Sequence, residues 1–453
     1  MAEAVRHDKT ARQLRLLSDA LDSGRLGPVR RLVNTLSPAE IGNLLESLPP
    51  AQRTVVWGLV DPEDDGEVLV HVGDEVREGL IADMDPDEIV AAVEDLDIDD
   101  LADLVEDLPD TVLDEVLKSM DRDNRERLEQ VLSYEEGSAG RLMNPDVVTV
   151  RTDTTVDVVL RYLRLRGELP DHTDHLYVVS RRHQYIGRIA LQALLTSEPN
   201  TPVNRLVDDE QAAIDVHESE ADVARQFSDH DWISAPVVDD GNVLLGRITI
   251  DDVVDIIRYQ AEHQVMSAAG LNEEEDLFSP VRRAFRRRML WLTINLATAF
   301  LAASVVSQFQ GTIAHLVSLA VLMPIVAGMG GNAGTQVLAL MVRGLALGQI
   351  GATNVGALVW KEVRIAIING VGIGLLLALI VLAWFGDWKL SLVIGLALTI
   401  NFTAAALGGV FVPVAVKRMG FDPALAGGVI LTTVTDVMGF LSFLGLATLI
   451  LLH

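Results

Sequence analysis

One carboxylate stands where an apolar helix would normally carry none. Asp436 sits in Leu431-Thr-Thr-Val-Thr-Asp436-Val-Met-Gly-Phe440, and from Pro423 to His453 it is the only formally charged side chain. Near the centre of a membrane span a carboxylate costs about 2.5 kcal/mol or more, and by default it marks an ion or substrate path. On a helix, Thr432 and Thr435 at i−4 and i−1 and Gly439 at i+3 are expected on broadly the same side. That grouping offers oxygens only, which suits a hard cation. Mg²⁺ gives up its waters reluctantly and needs few direct ligands, whereas Ca²⁺ takes six to eight oxygens. The chain has no cysteine, so thiolate sites for softer metals are excluded. Two copies around a two-fold axis would bring two such carboxylates together, and C2 dimers are the commonest oligomers. The chemistry points to a divalent cation, with Mg²⁺ ahead of Co²⁺ or Mn²⁺.

Two further sets of residues carry chemistry. Asp99, Asp103 and Asp107 recur at i, i+4 and i+8, a spacing that puts like charges on one helix face. Such a face is costly unless cations or a basic surface neutralise it. Asn332 and Gln336 share a face at i, i+4 beside Pro324-Ile-Val-Ala-Gly328-Met-Gly-Gly-Asn332-Ala-Gly334-Thr-Gln336. No strand or βαβ context surrounds these glycines, so a dinucleotide loop is a poor reading. They read either as close helix packing or as a helix weakened beside a pore, since irregular backbone is tolerated at depth only where protein or water satisfies it.

The elements that must position these residues follow from composition. The formal charge is −29, and residues 1–140 hold 35 Asp+Glu against 13 Lys+Arg, while 289–453 hold four acids and six bases. An acidic, water-facing part is joined to an apolar one. The charge argues against nucleic acid as a partner and favours cations. Met1 to Thr10 is charged with no apolar stretch, so no cleaved signal is expected.

The spacing predicts short amphipathic helices from about Arg12 to Tyr134, and Asp87–Asp95 and Asp99–Asp107 read as one small unit used twice. Residues 1–135 are therefore expected to form an acidic helical superhelix. After Glu135-Glu136-Gly137 the pattern becomes two β-α-β-β-α units over 136–258. A connecting helix is expected within 259–283, with stop signals at Gly270 and Asn272, then Glu273–Asp276, a start signal at Ser279-Pro280 and the basic run Arg282–Arg288. That run is expected to anchor at the membrane edge.

Within 284–453 five spans can be drawn: Met289–Ser307, one within Thr312–Val342, Ile365–Phe385, Leu390–Val416 and Ala424–Leu452. Each exceeds the roughly 20 residues needed to cross a bilayer. With a cytosolic N-terminus, ten flanking bases fall inside and only Lys389 outside, a positive-inside bias that leaves the C-terminus outside. The expected location is the cell (inner) membrane, multi-pass.

The paired units resemble a tandem of CBS domains, an α+β fold that commonly binds adenine nucleotides. By that resemblance Thr249 and Asp252 of Gly246-Arg-Ile-Thr249-Ile-Asp-Asp252 stand where ribose and phosphate are held, and Trp232 would stack on an adenine; core packing is the alternative for Trp232. The first unit, Gly187-Arg-Ile-Ala190-Leu-Gln-Ala193, lacks both the hydroxyl and the carboxylate. Taken whole, the chain resembles the MgtE family of magnesium channels, on Pro324…Gly328-x-Gly-Gly-Asn332-x-Gly-x-Gln336 and Asp422-Pro-Ala-Leu…Thr435-Asp436-Val-x-Gly439. The resemblance implies a homodimer with Mg²⁺ held in its pore at Asp436, Thr432, Gly439 and Asn332. It implies that cytosolic Mg²⁺, bound at Asp99, Asp103, Asp231, Asp252 and Asp255, closes the pore through a plug helix, with ATP a further ligand of the CBS pair. The chain departs from the pattern at His263-Gln264, after Glu262, where the family often has adjacent acids, and at Gly428-Val429, where it has Asn-Pro. The competing readings are an exchanger of the same fold and a receptor whose spans only anchor the CBS pair. The second leaves Asp436 unexplained. No nucleophile–base pair or Walker loop is present, so no enzyme is expected.

Overall fold

The computed structural model describes residues 26–452 apart from 95, 106, 211, 272–275 and 352. The readings made for Met1–Thr10, for the chain before residue 26 and for residues 272–275 lie outside the described residues. The chain divides into two compact units, one of residues 26–260 with 276–279, the other of residues 261–271 with 280–452.

Among the described residues the first unit begins with nine short helices: α1 (Leu26–Val33), α2 (Pro38–Glu46), α3 (Pro50–Trp57), α4 (Asp65–Val70), α5 (Asp74–Ile81), α6 (Pro86–Val93), α7 (Ile98–Val105), α8 (Asp110–Ser119) and α9 (Arg122–Leu132). Their starts are written in the sequence. Ser37 and Glu40 form a reciprocal capping box with Pro38 at the first position, and Asp85, Pro86 and Glu88 repeat the device. Each box satisfies two backbone N–H groups that a helix start leaves without partners. Each helix is too short to be stable alone in water, so the buried stripe Ile89, Val93, Leu101, Leu104, Val116 and Leu128 holds the stack together.

Two sheet units follow. The first runs α10 (Ala139–Leu142), β1 (Thr149–Arg151), α11 (Val156–Arg166), β2 (His175–Val179), β3 (Tyr185–Ala190) and α12 (Leu191–Thr196); the second β4 (Ile214–Asp215), α13 (Glu220–His230), β5 (Ser234–Val238), β6 (Leu244–Thr249) and α14 (Ile250–Ala268). In each, the first strand pairs parallel with the second and the second antiparallel with the third. Both middle strands carry a register shift at the same place, Val178/Val179 and Val237/Val238. The hairpin turns match too: His183 and Asn242 both take positive φ, 58° and 59°. The β-α-β-β-α repeat expected from sequence is therefore present, with β4 only two residues long.

Arg53 and Asp276 form a buried ion pair at 2.8 Å, their side chains 8% and 7% exposed. Arg53 also donates to the Leu45 carbonyl, and Ser279 donates its hydroxyl to Glu75 at 2.6 Å. The segment 276–279 is thus clamped onto α3 and α5.

In the second unit, α14 ends where Gly270 takes φ 74°, the left-handed conformation that favours glycine at a helix C-terminus. The membrane helices are α15 (Val281–Ser307), α17 (Ser318–Ala346), α18 (Val355–Phe385), α19 (Trp388–Arg418) and α20 (Pro423–Leu451), with the short α16 (Gln310–His315) before α17. All five long helices are long and apolar enough to cross a bilayer. The first begins at Val281 rather than Met289, so the basic run and the span share one helix. The helix α17 is unbroken through Pro324 and its glycines. The expected weak point is therefore not a break: two of those glycines face neighbouring helices closely, as described next. The most enclosed helix is α19, packed against α17, α18 and α20.

Candidate ion path and acidic face

Asp436 lies at the midpoint of α20, about 20 Å from its start at 1.5 Å per residue. The helix turns two faces to two surroundings. Leu431, Thr435 and Gly439 line the packed face, with Thr435 wholly buried. Thr432 is exposed and Asp436 half-buried on the adjoining face. The expectation of one shared face therefore holds for Thr432 and Asp436 but not for Thr435 or Gly439: the packed stripe runs at 431, 435 and 439, one position off the Asp436 stripe. The Thr432 and Thr435 hydroxyls donate to carbonyls of their own helix, Val429 at 3.0 Å and Thr432 at 3.0 Å. The Gly439 carbonyl accepts from Ser442 at 3.1 Å. On α17, Asn332 and Gln336 are exposed on one ridge. A second ridge of that helix meets α20: a side chain at Gly334 would press on Leu431 at 3.2 Å, and Gly331 lies near the Thr435 hydroxyl.

Between α17 and α20 stands a residue that sequence reasoning passed over. Asn401 of α19 is fully buried and donates its amide to the Val326 carbonyl at 2.9 Å. Its only sequence signal is a lone amide in an apolar span, which is easily read as packing.

In the first unit, α7 presents its acidic start to α14. The buried residues Leu101, Ala102, Leu104 and Val105 anchor α7, and Arg141 donates to the Ala102 carbonyl at 2.7 Å. Asp99 is pushed well above the usual carboxylate range, first by burial, then by the charges of Asp252, Asp100 and Asp97. Burial, then Asp97, Asp103, Asp251 and Asp255, push Asp100 up to about 7. Asp252 is raised by burial and by Asp251, against the hydrogen bonds from Thr249. Asp97 is raised by burial and Asp171, with Arg247 opposing. Asp99, Asp103, Asp252 and Asp255 thus belong to one electronegative face, together with Asp97, Asp100 and Asp251, which the i, i+4 spacing did not select. Asp107 lies past the end of α7 and pairs with Arg77 at 2.8 Å. Asp231 caps α13 in the left-handed conformation, φ 52°, and is exposed; it is not among the charges acting on Asp99, Asp100 or Asp252. Among the described residues no three carboxylate or imidazole groups converge to cage a bare ion.

These raised values carry a sign. A carboxyl raised on folding favours the folded unit while it is protonated, and that contribution is whole below about pH 4. It is lost as pH rises through about 7, the value reached by Asp100. In Mg²⁺-free buffer the melting temperature of the full chain's cytosolic transition is expected to fall as pH is raised from about 5 to about 8. A flat thermal profile over that range would contradict it.

At the paired sheets, Thr249 turns its hydroxyl to Asp252 at 3.1 Å and to Asp251. Trp232 is 9% exposed, stacked on His230 at 4.8 Å and edge-on to Phe227 at 5.7 Å. The ring is packed among core residues, as the core-packing alternative expects. Trp232→Ala is expected to destabilise the unit by about 3–5 kcal/mol, read from urea unfolding followed by far-UV circular dichroism.

Three family models lie end to end on this chain. The MgtE intracellular N domain matches residues 36–137, the CBS domain matches 139–199 and 203–259, and MgtE, a divalent cation transporter, matches 323–446. The chain belongs to the MgtE family. The magnesium transporter MgtE of Enterococcus faecalis (strain ATCC 700802 / V583) is 29% identical over 439 residues, 96% of this chain and 97% of its own. That of Bacillus subtilis (strain 168) is 26% identical over 428 residues, 94% and 95%. A solved cytosolic domain of the Mg²⁺ channel MgtE in complex with ATP is 30% identical, covering 53% of this chain and 98% of that one, with a TM-score of 0.48. MgtE proteins are transporters and not enzymes. The MgtE transporter match takes in Asn332, Asn401, Asp436 and Gly439.

Proposed function

We propose that this membrane protein is a Mg²⁺ channel, working as a homodimer and importing Mg²⁺ across the plasma membrane. The observation that carries the reading is Asp436, a carboxylate at the midpoint of an otherwise uncharged membrane helix, on a flank that one chain leaves half open. A second copy around a two-fold axis would bring the partner's carboxylate to it, enough negative charge for one hydrated dication. Thr432 borders the same path on the exposed side of α20, and Asn332, exposed on α17, would join it in the dimer. Relatives spanning nearly the whole chain are named magnesium transporters. The bases at the span ends support a cytosolic N-terminus and soluble part and an outside C-terminus.

Closure follows from the acidic face. Without Mg²⁺, the carboxylates of α7 and of α14 repel across their shared surface. Cytosolic Mg²⁺ bound at Asp99, Asp103, Asp252 and Asp255 draws the two together. No ready cage exists there, so the ions keep most of their water and bind through it. Moving a gate from mostly open to mostly closed takes about 5.5 kcal/mol of differential binding, which several weak ions supply together. The connecting helix α14 runs on from this face and carries the change. ATP would meet the CBS pair at Thr249 and Asp252, and isothermal titration of the full chain in detergent tests that ligand.

The channel reading is tested in planar bilayers. Unitary Mg²⁺ current steps at low cytosolic Mg²⁺, disappearing at millimolar cytosolic Mg²⁺, are expected. Uptake without unitary steps, strictly coupled to a counter-ion, would replace the channel with an exchanger.

A further inference from the structure

We propose that Asn401 is a positioning residue for the ion path, fixing the face of α20 on which Asp436 stands; the inference rests on the reading of Asp436 as the path's carboxylate. Asn401 sits near the middle of α19 with no exposure at all. Its amide fills a notch cut from two other helices. A Cβ on Gly330 of α17 would come within 2.0 Å of the Asn401 Nδ2, and a Cβ on Gly439 of α20 within 2.7 Å. Both glycines are therefore required by the amide between them. Gly439 lies at i+3 from Asp436, so whatever sets the level and rotation of α20 at Gly439 also sets where Asp436 points. A helix slipped by one residue would swing the carboxylate by about 100°.

The amide does more than fill space. Nδ2 donates to the Val326 carbonyl at 2.9 Å. Val326 lies two residues past Pro324, inside α17, where proline has already removed one backbone donor. Asn401 thus holds the turn of α17 that leads to Asn332. Among the described residues its buried Oδ1 has no hydrogen-bond partner, an arrangement that costs stability. A leucine would fill the same volume without that cost. The amide is explained if the bond to Val326 and the fit to both glycines serve the path rather than stability.

The test compares variants of the full chain in liposomes, with Mg²⁺ and Ca²⁺ uptake read side by side. Asn401→Leu is expected to insert and melt like the wild type. It is expected to lose at least tenfold in maximal Mg²⁺ uptake and to shift the Mg²⁺-to-Ca²⁺ uptake ratio. Gly439→Ala alone is expected to lose uptake, and Asn401→Ala combined with Gly439→Ala to recover it, since the smaller side chain makes room for the new methyl. Asp436→Asn serves as the separate control. An Asn401→Leu protein with wild-type uptake and ratio, beside a dead Asp436→Asn, would overturn the inference and leave the ion path standing. So would failure of the double variant to recover anything over Gly439→Ala. A live Asp436→Asn protein would overturn the reading of the path beneath it.

Discussion

Liposomes holding Asp436→Asn protein are expected to take up Mg²⁺ no faster than empty vesicles. The change removes the one formal charge from α20 and keeps its shape. A unit charge about 4 Å from a monovalent partner is worth about 4 kcal/mol at an effective dielectric near 20. Since each 1.4 kcal/mol is tenfold, loss of one such attraction already approaches a thousandfold, and a dimer would lose two. The variant should insert at least as well as the wild type, because a neutral amide is easier to place in a bilayer than a carboxylate. Lost uptake with normal amounts of protein in the membrane therefore reads as lost ion attraction. Asp436→Glu keeps the charge at a different reach and is expected to retain partial uptake with altered selectivity. Wild-type flux through the Asn variant would remove the carboxylate from the path.

The second large effect concerns the acidic face. Replacing Asp99 and Asp103 by Asn is expected to leave the channel conducting at cytosolic Mg²⁺ concentrations that silence the wild type, with half-closure shifted by tenfold or more. The same change should act in the opposite sense on stability. Asp99 is held protonated-leaning by burial and by Asp252, Asp100 and Asp97, so removing its charge relieves repulsion in the metal-free unit. The full chain should melt higher without Mg²⁺ and gain less when Mg²⁺ is added, because a ligand stabilises only through the sites it binds. Patch recordings with unchanged Mg²⁺ inhibition, or a melting gain from Mg²⁺ as large as the wild type's, would sink this account.

Much of this architecture was legible in the residues because local chemistry wrote it. Ser37-Pro38 and Asp85-Pro86 announce helix starts, the Gly246-Arg-Ile-Thr249 strand repeats that at Gly187, and five apolar runs announce five spans. Asp436 was legible because a charge in such a run has nothing local to explain it. What stayed hidden depended on packing between distant elements. Spacing selected Asp99, Asp103 and Asp107, but α7 ends at Val105, and Asp107 turned to Arg77. Asp97 and Asp100 joined the face because the start of α7, not its whole length, meets α14. Thr435 fell to the packed stripe because α20 meets α17 at Gly331 and Gly334 and meets Asn401 of α19 at Gly439. The packing of Trp232 on Phe227 and His230 was not visible from spacing. Asn401 could not be seen at all, since its meaning lies in two glycines on two other helices.

The clamp of Asp276 on Arg53 changes how a shortened protein should be read. Ser279 is followed directly by Pro280 and the start of the first span. A chain cut back to remove the helices before residue 136 loses its acidic face, but it also strands Asp276 and Ser279 without Arg53 and Glu75. Removing one member of a buried ion pair costs about 3–5 kcal/mol, and here the stranded member is tied by a few bonds to a membrane helix. Such a truncation is a double lesion: it deletes a sensor and slackens a tether. Only a full-length chain with Arg53→Met, compared against the truncation, separates the two.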